Sequence, residues 1–266
     1  MRKILITNDD GYQSKGIASL VKIMKNYGEV TVVAPKKHQS GMSMAVSLGY
    51  KPIAVKNLGV IDGVSWHYVD GTPATAAKYA VDVLFADEKP DLVVSGINHG
   101  SNASTAMWYS GTIGAAREAA LAGVPAIGVS LDNMHSDADF TVVEELLPGI
   151  LDRLLEIFPI SGKILYNINF PDVPASEIKG VKACTQGVEW WINEFVPPTA
   201  VGEVIKGEPV EDGEELFLMA GDVVPAPDND PDTDNWANDH NYIAITPHML
   251  DNTDYAEVER LKKLGF

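Results

Sequence analysis

The chain has 266 residues, 45% of them apolar, enough to bury a sizeable core; this excludes disorder and suits one large domain, or one domain with a smaller appended lobe. Its 20 Lys and Arg against 37 Asp and Glu give a formal charge of −17. That field repels nucleic acid duplexes and anionic membranes, so any phosphate ligand must be held locally, by a metal or by backbone amides.

Lys3 to Ile6 reads as a first strand, entered without a signal-peptide pattern, as expected of a cytoplasmic protein. A helical stretch from Gly16 to Asn26 and a β-branched run from Val30 to Ala34, stopped by Pro35, complete a βαβ rhythm. Ser43 to Val55 and Val60 to Val69 alternate or break at Gly and read as extended excursions, a hairpin beside the sheet. The rhythm resumes with a helix from Thr75 to Ala86, a buried strand from Asp91 to Ser95, a helix from Thr112 to Ala122 and a strand from Ala126 to Ser130. A helix from Thr141 to Ile157 and a core strand from Ile164 to Phe170 follow. The expected class is α/β, with a mostly parallel sheet covered by helices on both faces.

Residues 1–171 are thus expected to form the catalytic core. From Asp172 onward Pro and Gly punctuate strand-like pieces at Glu189 to Val196, Leu216 to Met219 and Tyr242 to Thr246. An acidic stretch from Asp228 to Asp239 reads as a loop, and Tyr255 to Leu264 as a closing helix. Residues 172–266 are expected to be a smaller lobe of β-arms suited to subunit contacts. Cys184 is the only cysteine, which excludes a disulfide framework, a CxxC redox pair and a thiolate zinc site.

In an open parallel sheet, ligands bind at the carboxyl ends of strands, where strand order reverses. Three polar loops follow strands here: Asn8 to Gly11, Pro35 to Gly41 with Ser40, and Gly96 to Asn102 with Asn98. Adjacent carboxylates at Asp9 and Asp10 repel each other, and a hard divalent ion such as Mg2+ or Mn2+ relieves the repulsion. With the first strand central, Asp9, Asp10, Ser40 and Asn98 make an oxygen shell for one cation, completed by water or substrate. Asp10-Gly11 is equally the composition of an ordinary strand-to-helix turn with Asp9 as a cap; the convergence of three loops is what favours the metal.

Tyr109, Ser110, Gly111 and Thr112 open the next helix, whose free amides and dipole suit an anion, with Gly111 allowing close approach and the two hydroxyls adding donors. A plain Ser or Thr cap has the same composition. The neighbouring metal candidate in an anionic chain favours a phosphate bridging metal and helix start. His38 and His99 lie in the candidate loops and could serve as acid or base, contact a leaving group, or simply bond the backbone. The acidic stretch Asp228, Asp230, Asp232, Asp234, Asp239 is no calcium loop, because Thr233 stands in place of the turn glycine and Asp239 in place of the closing glutamate. Trp190, Trp191 and Trp236 could stack on a base, although aromatic residues on β-arms more often fill cores or interfaces.

Seven segments, ILITNDDG (Ile4 to Gly11), APKKHQSGM (Ala34 to Met42), GTPA (Gly71 to Ala74), SGINHGSN (Ser95 to Asn102), YSGTIGAA (Tyr109 to Ala116), GVPAIGVSL (Gly123 to Leu131) and YIAITP (Tyr242 to Pro247), together resemble the SurE family of survival proteins. The resemblance runs in order over most of the chain. It implies a metal-dependent phosphatase of nucleoside 5'-monophosphates, some members also accepting 3'-nucleotides or polyphosphate. It also implies a Rossmann-like domain with C-terminal β-arms exchanged between subunits, as a homodimer or homotetramer. By position the family's metal ligands fall on Asp9, Asp10, Ser40 and Asn98, and its phosphate turn on Ser110, Gly111 and Thr112. Thr233 and Asp234 match a TD pair that places Asp234, with Asn8, at the edge of the active site. The chain departs from the family at Thr75 and Ala76, where an acidic residue and a thiol are usual, and around Ser104, Thr105 and Ala106, where an acidic residue is usual.

The expected reaction is metal-assisted hydrolysis, with Asp9, Asp10 and Asn98 as catalytic residues and one Mg2+ or Mn2+ per subunit. Cys184 has no motif support as a nucleophile. The alternative is a non-enzymatic metal- and phosphate-binding signalling module of the phospho-accepting receiver kind. It fits poorly, since Ser95 to Asn98 offers no carboxylate where a receiver has its phospho-accepting Asp. The absence of GxGxxG and GxxxxGK[ST] likewise argues against dinucleotide and P-loop binding.

Overall fold

Strict alternation sets the first strand at the centre of the protein. In β1 (Lys3–Thr7) Ile4 and Ile6 point into one core and Leu5 into the other, all fully buried, as the two-residue period of a strand requires. The computed structural model describes residues 1–49, 52–157, 164–198 and 211–266. In α1 (Lys15–Met24) the spacing of Ile17, Leu20, Val21 and Met24 makes one buried face. Ser14 starts the helix by accepting a hydrogen bond from the Ile17 amide at 3.3 Å.

The chain continues through β2 (Glu29–Pro35), β3 (Val55–Ile61), β4 (Val64–Val69), α2 (Pro73–Tyr79) with a π-turn at Ala80–Leu84, β5 (Leu92–His99), α3 (Ala106–Tyr109) and α4 (Gly111–Leu121). Then come β6 (Ala126–Leu131), α5 (Thr141–Ile157), β7 (Ile164–Phe170), β8 (Gly180–Ala183), β9 (Glu189–Ile192), β10 (Phe195–Val196), β11 (Leu218–Met219) and β12 (Asp222–Pro225). The last elements are α6 (Asp234–Asp239), β13 (Tyr242–Met249) and α7 (Tyr255–Lys263).

The main sheet has the order β3-β4-β2-β1-β5-β6-β7-β13-β8. From β4 to β7 neighbouring strands are parallel, while β3 and β13 run antiparallel to their neighbours β4 and β7. The fold is α/β and mostly parallel, with α1 and α5 packed on one face and α2 and α4 on the other. Strand order reverses at β1, which lies between β2 and β5. The carboxyl ends of β1 and β5 therefore meet at the topological switch point, where such sheets bind ligands.

Four details differ from the sequence reading. The strand expected to end at Ser95 runs on as β5 to His99, so Asn98 stands on a bulged strand and not in a loop. The hairpin is β3 and β4, closed by Asp62 and Gly63 at positive φ of 49° and 79°; it extends the sheet beside β2 and begins only at Val55, because the preceding loop is held elsewhere. In that loop the Ser43 amide donates to the Tyr109 carbonyl at 2.8 Å and the Ser47 amide to the Thr75 hydroxyl at 2.9 Å. The acidic stretch is not all loop: α6 forms within it, because the Asp234 carboxylate folds back to accept the Asn235 amide at 2.9 Å at the helix start. The strand expected over Glu189 to Val196 breaks at Asn193, φ 54°, into β9 and β10. Beyond Asp172, β13 and β8 complete the main sheet, whereas β9 pairs with β12 and β10 with β11 as separate two-stranded arms. The residues Tyr50 and Lys51 in the early loop lie outside the described residues.

Candidate active site

The turn after β1 is folded by Asn8. Its side-chain oxygen accepts the Gly11 amide at 3.2 Å, and its amide nitrogen donates to the Gly11 carbonyl at 3.0 Å and the Ser14 hydroxyl at 2.8 Å. Asn8 thus braces the site and has its amide committed to the turn. Gly11 takes φ +95°, which costs a glycine little. The turn carries Asp9 and Asp10 side by side.

Asp9 is 2% exposed and sits against the start of α4. Its Oδ1 accepts a hydrogen bond from the Thr112 hydroxyl at 2.5 Å. A Cβ added to Gly111 would stand 2.8 Å from Asp9 Cβ and 3.0 Å from its Oδ2; glycine is what lets the helix begin there. Burial, and then the charge of Asp10, push the Asp9 carboxyl up to about 6. A bound cation relieves both causes. Asp10 lies between two imidazoles, His99 Nδ1 at 2.9 Å from its Oδ2 and His38 Nδ1 at 3.3 Å from its Oδ1.

Asn98 is aimed by a bulge. Between Ser95 and Asn98 the β5 register against β6 slips by one residue, and Gly96 passes so close to β6 that a Cβ would meet the Val129 carbonyl oxygen at 2.3 Å. The Asn98 amide nitrogen donates to the Gly100 carbonyl at 2.7 Å, while its buried Oδ1 has no hydrogen-bond partner among the described residues. A buried carbonyl oxygen without a donor is costly in a folded protein, and a cation is a ligand that satisfies it. The third loop is tied in by the Gln39 amide, which donates to the Asp9 carbonyl at 2.8 Å. Ser40, one residue on, is exposed.

The donor set of two carboxylates and an orphaned amide oxygen, with Ser40 on the loop tied to Asp9, suits a hard divalent cation. Among the described residues no three His, Cys, Asp or Glu side chains converge to hold a metal, so a shell built on Asp9 and Asp10 would need the neutral oxygens of Asn98 and Ser40 as well. Beside it, Ser110 caps α4 by accepting the Ile113 amide at 3.1 Å, which leaves the hydroxyl hydrogen available to an anion. The Thr112 hydroxyl is committed to Asp9, linking the anion site to the carboxylate pair.

Asp234 is fully buried and its carboxylate is saturated. Oδ1 accepts the amides of Ser104, Gly187 and Asn235 at 3.0, 2.8 and 2.9 Å, and Oδ2 accepts the Thr246 hydroxyl at 3.2 Å. It staples the loop between β5 and α3 to the C-terminal segment. Burial raises its carboxyl above the usual range, against those four donors. Cys184 is buried, and burial pushes its thiol up to about 11, which disfavours the thiolate that a nucleophile needs. Trp190 and Trp191 lie exposed on β9, while Trp236 stacks on His240 with ring centroids 3.7 Å apart.

At the departures from the family pattern, Thr75 accepts the Ser47 amide and pairs with the Thr72 hydroxyl at 2.8 Å. The Thr105 hydroxyl donates to the Glu189 carbonyl, tying the loop to a β-arm. A buried polar ladder escaped the sequence reading. Asn102 Nδ2 donates to Ser130 Oγ at 2.8 Å, its amide to Asn169 Oδ1 at 2.8 Å, and Asn167 Nδ2 to the Asn102 carbonyl at 2.7 Å. The two-residue spacing of Asn167 and Asn169 at the end of a core strand was the available signal.

The family model for survival protein SurE matches residues 4–193. The chain is 38% identical over 260 residues to the 5'-nucleotidase SurE of Cytophaga hutchinsonii, covering 98% of this chain and 95% of the relative. It is 35% identical over 264 residues to the 5'-nucleotidase SurE of Alkaliphilus metalliredigens, covering 99% and 98%. Among solved structures, the crystal structure of the SurE protein from Aquifex aeolicus superposes with a TM-score of 0.77 at 27% identity, over 99% of this chain and 100% of that one. Matched by the family model over most of its length and by such relatives over nearly all of it, the chain belongs to the SurE family.

Proposed function

We propose that this chain is a divalent-metal-dependent 5'-nucleotidase that hydrolyses nucleoside 5'-monophosphates to nucleoside and phosphate. The names of its relatives support the reaction. The observation that carries the site is the meeting of the acidic pair and the α4 N-terminus at Asp9, through the 2.5 Å bond from Thr112 and the close approach of Gly111. A phosphate monoester is the simple ligand that uses both halves: an anion for the helix start and a bridge to a cation.

Asp9, Asp10, Ser40 and Asn98 would hold one Mg2+ or Mn2+ per subunit. When bound, the ion supplies charge neutralisation and a polarised water for in-line attack on phosphorus. The residues of the chain do the rest. The Ser110 hydroxyl and the Gly111 amide would take phosphoryl oxygens and stabilise charge as it grows in the transition state, while Thr112, whose hydroxyl and backbone amide both bond Asp9, holds that carboxylate at the helix start. Asn8 keeps the turn rigid, so that the two carboxylates need little reorganisation.

The assembly belongs to the same proposal: a homodimer or homotetramer built through the arms, whose Trp190, Phe195, Phe217 and Met219 are all exposed in one copy of the chain. Nucleotide substrates are the small-molecule partners, with no duplex or membrane bound. Among the described residues no helix is long and apolar enough to cross a membrane, and the lone cysteine supports a cytoplasmic setting.

The test is phosphate release from nucleoside 5'- and 3'-monophosphates and short polyphosphate, first in chelator and then with Mg2+ or Mn2+. Metal-dependent release favouring 5'-nucleotides is expected. Metal and phosphate binding without any turnover, in folded protein, would overturn the enzyme in favour of a signalling module.

A further inference from the structure

We propose that His99 is a positioning residue for Asp10, locking one carboxylate oxygen so that the other is presented to the cation. The proposal rests on the reading of Asp10 as a metal ligand. Two donors from His99 reach the same oxygen, the ring Nδ1 at 2.9 Å and the backbone amide at 3.3 Å from Asp10 Oδ2. A carboxylate oxygen accepts, so Nδ1 carries the hydrogen.

The ring is itself held. Its side chain is 12% exposed, and it meets Phe140 edge-on with centroids 5.0 Å apart and planes at 88°. Its buried Nε2 has no partner among the described residues. The hydrogen-bonding capacity of the imidazole is therefore directed to Asp10 alone. His38, on the other side, differs in every respect: its side chain is 64% exposed and lies 3.3 Å from Oδ1. An exposed imidazole can swing away when a ligand arrives, whereas the buried one cannot. The two oxygens of Asp10 thus divide, Oδ2 fixed by His99 and Oδ1 left for a cation. Hydrogen bonds to ligating groups commonly set metal affinity by about 10–100-fold.

The experiment is calorimetric titration of Mn2+ into metal-free protein, comparing wild type, Asp10→Asn, His99→Leu and His99→Asn. Asn Nδ2 occupies much the same place as His Nδ1, so His99→Asn restores the donor without the ring. His99→Leu is expected to weaken Mn2+ binding about 10–100-fold, and His99→Asn to recover most of the loss. Melting in chelator checks that each variant is folded; should His99→Leu fail there, His99→Ala takes its place. Unchanged Mn2+ affinity in the folded Leu or Ala variant, or equal losses in Leu and Asn, would overturn the positioning role. No Mn2+ binding by wild type, or full affinity in Asp10→Asn, would instead overturn the metal reading on which it rests.

Discussion

Asp9 and His248 respond to pH in opposite senses, and both effects follow from burial. The Asp9 carboxyl, raised from 3.8 to about 6, binds its proton more tightly in the folded state. Metal-free protein therefore loses stability as pH rises through that window, by roughly 3 kcal/mol at full extent. In chelator, Asp9→Asn is expected to melt above wild type at pH 8 and level with it near pH 4, because the amide has no charge to bury. The same substitution is expected to remove the turnover that the proposed metal would support; full activity would sink the proposed site. His248 is lowered from 6.5 to about 4 by burial and then by Arg117, so its contribution is present above 6.5 and lost as pH falls toward 4. Replacing it with Leu should flatten the acid limb of a melting-temperature profile between those values. Asn98→Ala removes the orphaned oxygen and is expected to cost about 100-fold or more in kcat/KM, roughly 3 kcal/mol of transition-state stabilisation.

At the scale of elements, α4 illustrates why small residues sit where helix propensity alone would choose otherwise. In a free helix Gly→Ala stabilises by about 1 kcal/mol. At Gly111 the new Cβ would press on Asp9 at 2.8 Å, and at Gly114 it would stand 1.9 Å from the Ser43 carbonyl oxygen. Gly114→Ala must therefore displace the loop that carries Ser40. We expect kcat/KM to fall at least about 10-fold in each variant with the helix content by circular dichroism retained; an unchanged rate would mean that the loop and helix start are free to move. Thr75→Val tests the other anchor of the same loop, since it removes the acceptor of the part-buried Ser47 amide and is expected to lower stability by about 1 kcal/mol in a melting experiment.

For the whole molecule, the arms carry the subunit prediction. Phe195 and Met219 are cross-strand partners on β10 and β11, and both are exposed. Sedimentation is expected to show a dimer or tetramer. Placing Asp at both positions is expected to give a smaller species that still binds Mn2+; an unchanged sedimentation coefficient would remove the arms from the interface. Metal should also act on the molecule as one unit, raising stability by about 2.7 kcal/mol at a hundred times its dissociation constant, a shift readable as a chelator-sensitive melting temperature.

Much of this was legible from residue order alone. The period of two in Ile4, Leu5 and Ile6, the helical spacing of Ile17 to Met24 and the full extents of α5 and β7 follow from local pattern, because each element buries a face that its own sequence defines. The candidate loops were legible for the same reason: Asp-Asp-Gly and Ser-Gly-Thr stand where strands end and helices begin. Partnership was not. That Asp9 meets Thr112, that His99 bonds Asp10 and not merely the backbone, that Asp234 ties Ser104 to the C-terminal segment and that Asn98 keeps an oxygen with no hydrogen-bond partner among the described residues all depend on packing, the three contacts joining residues 103, 89 and 130 positions apart. Local composition determined which groups stand at the strand ends; the order of strands around β1 and the bulge in β5 decided which of them face one another, since only packing brings distant backbone into one shell.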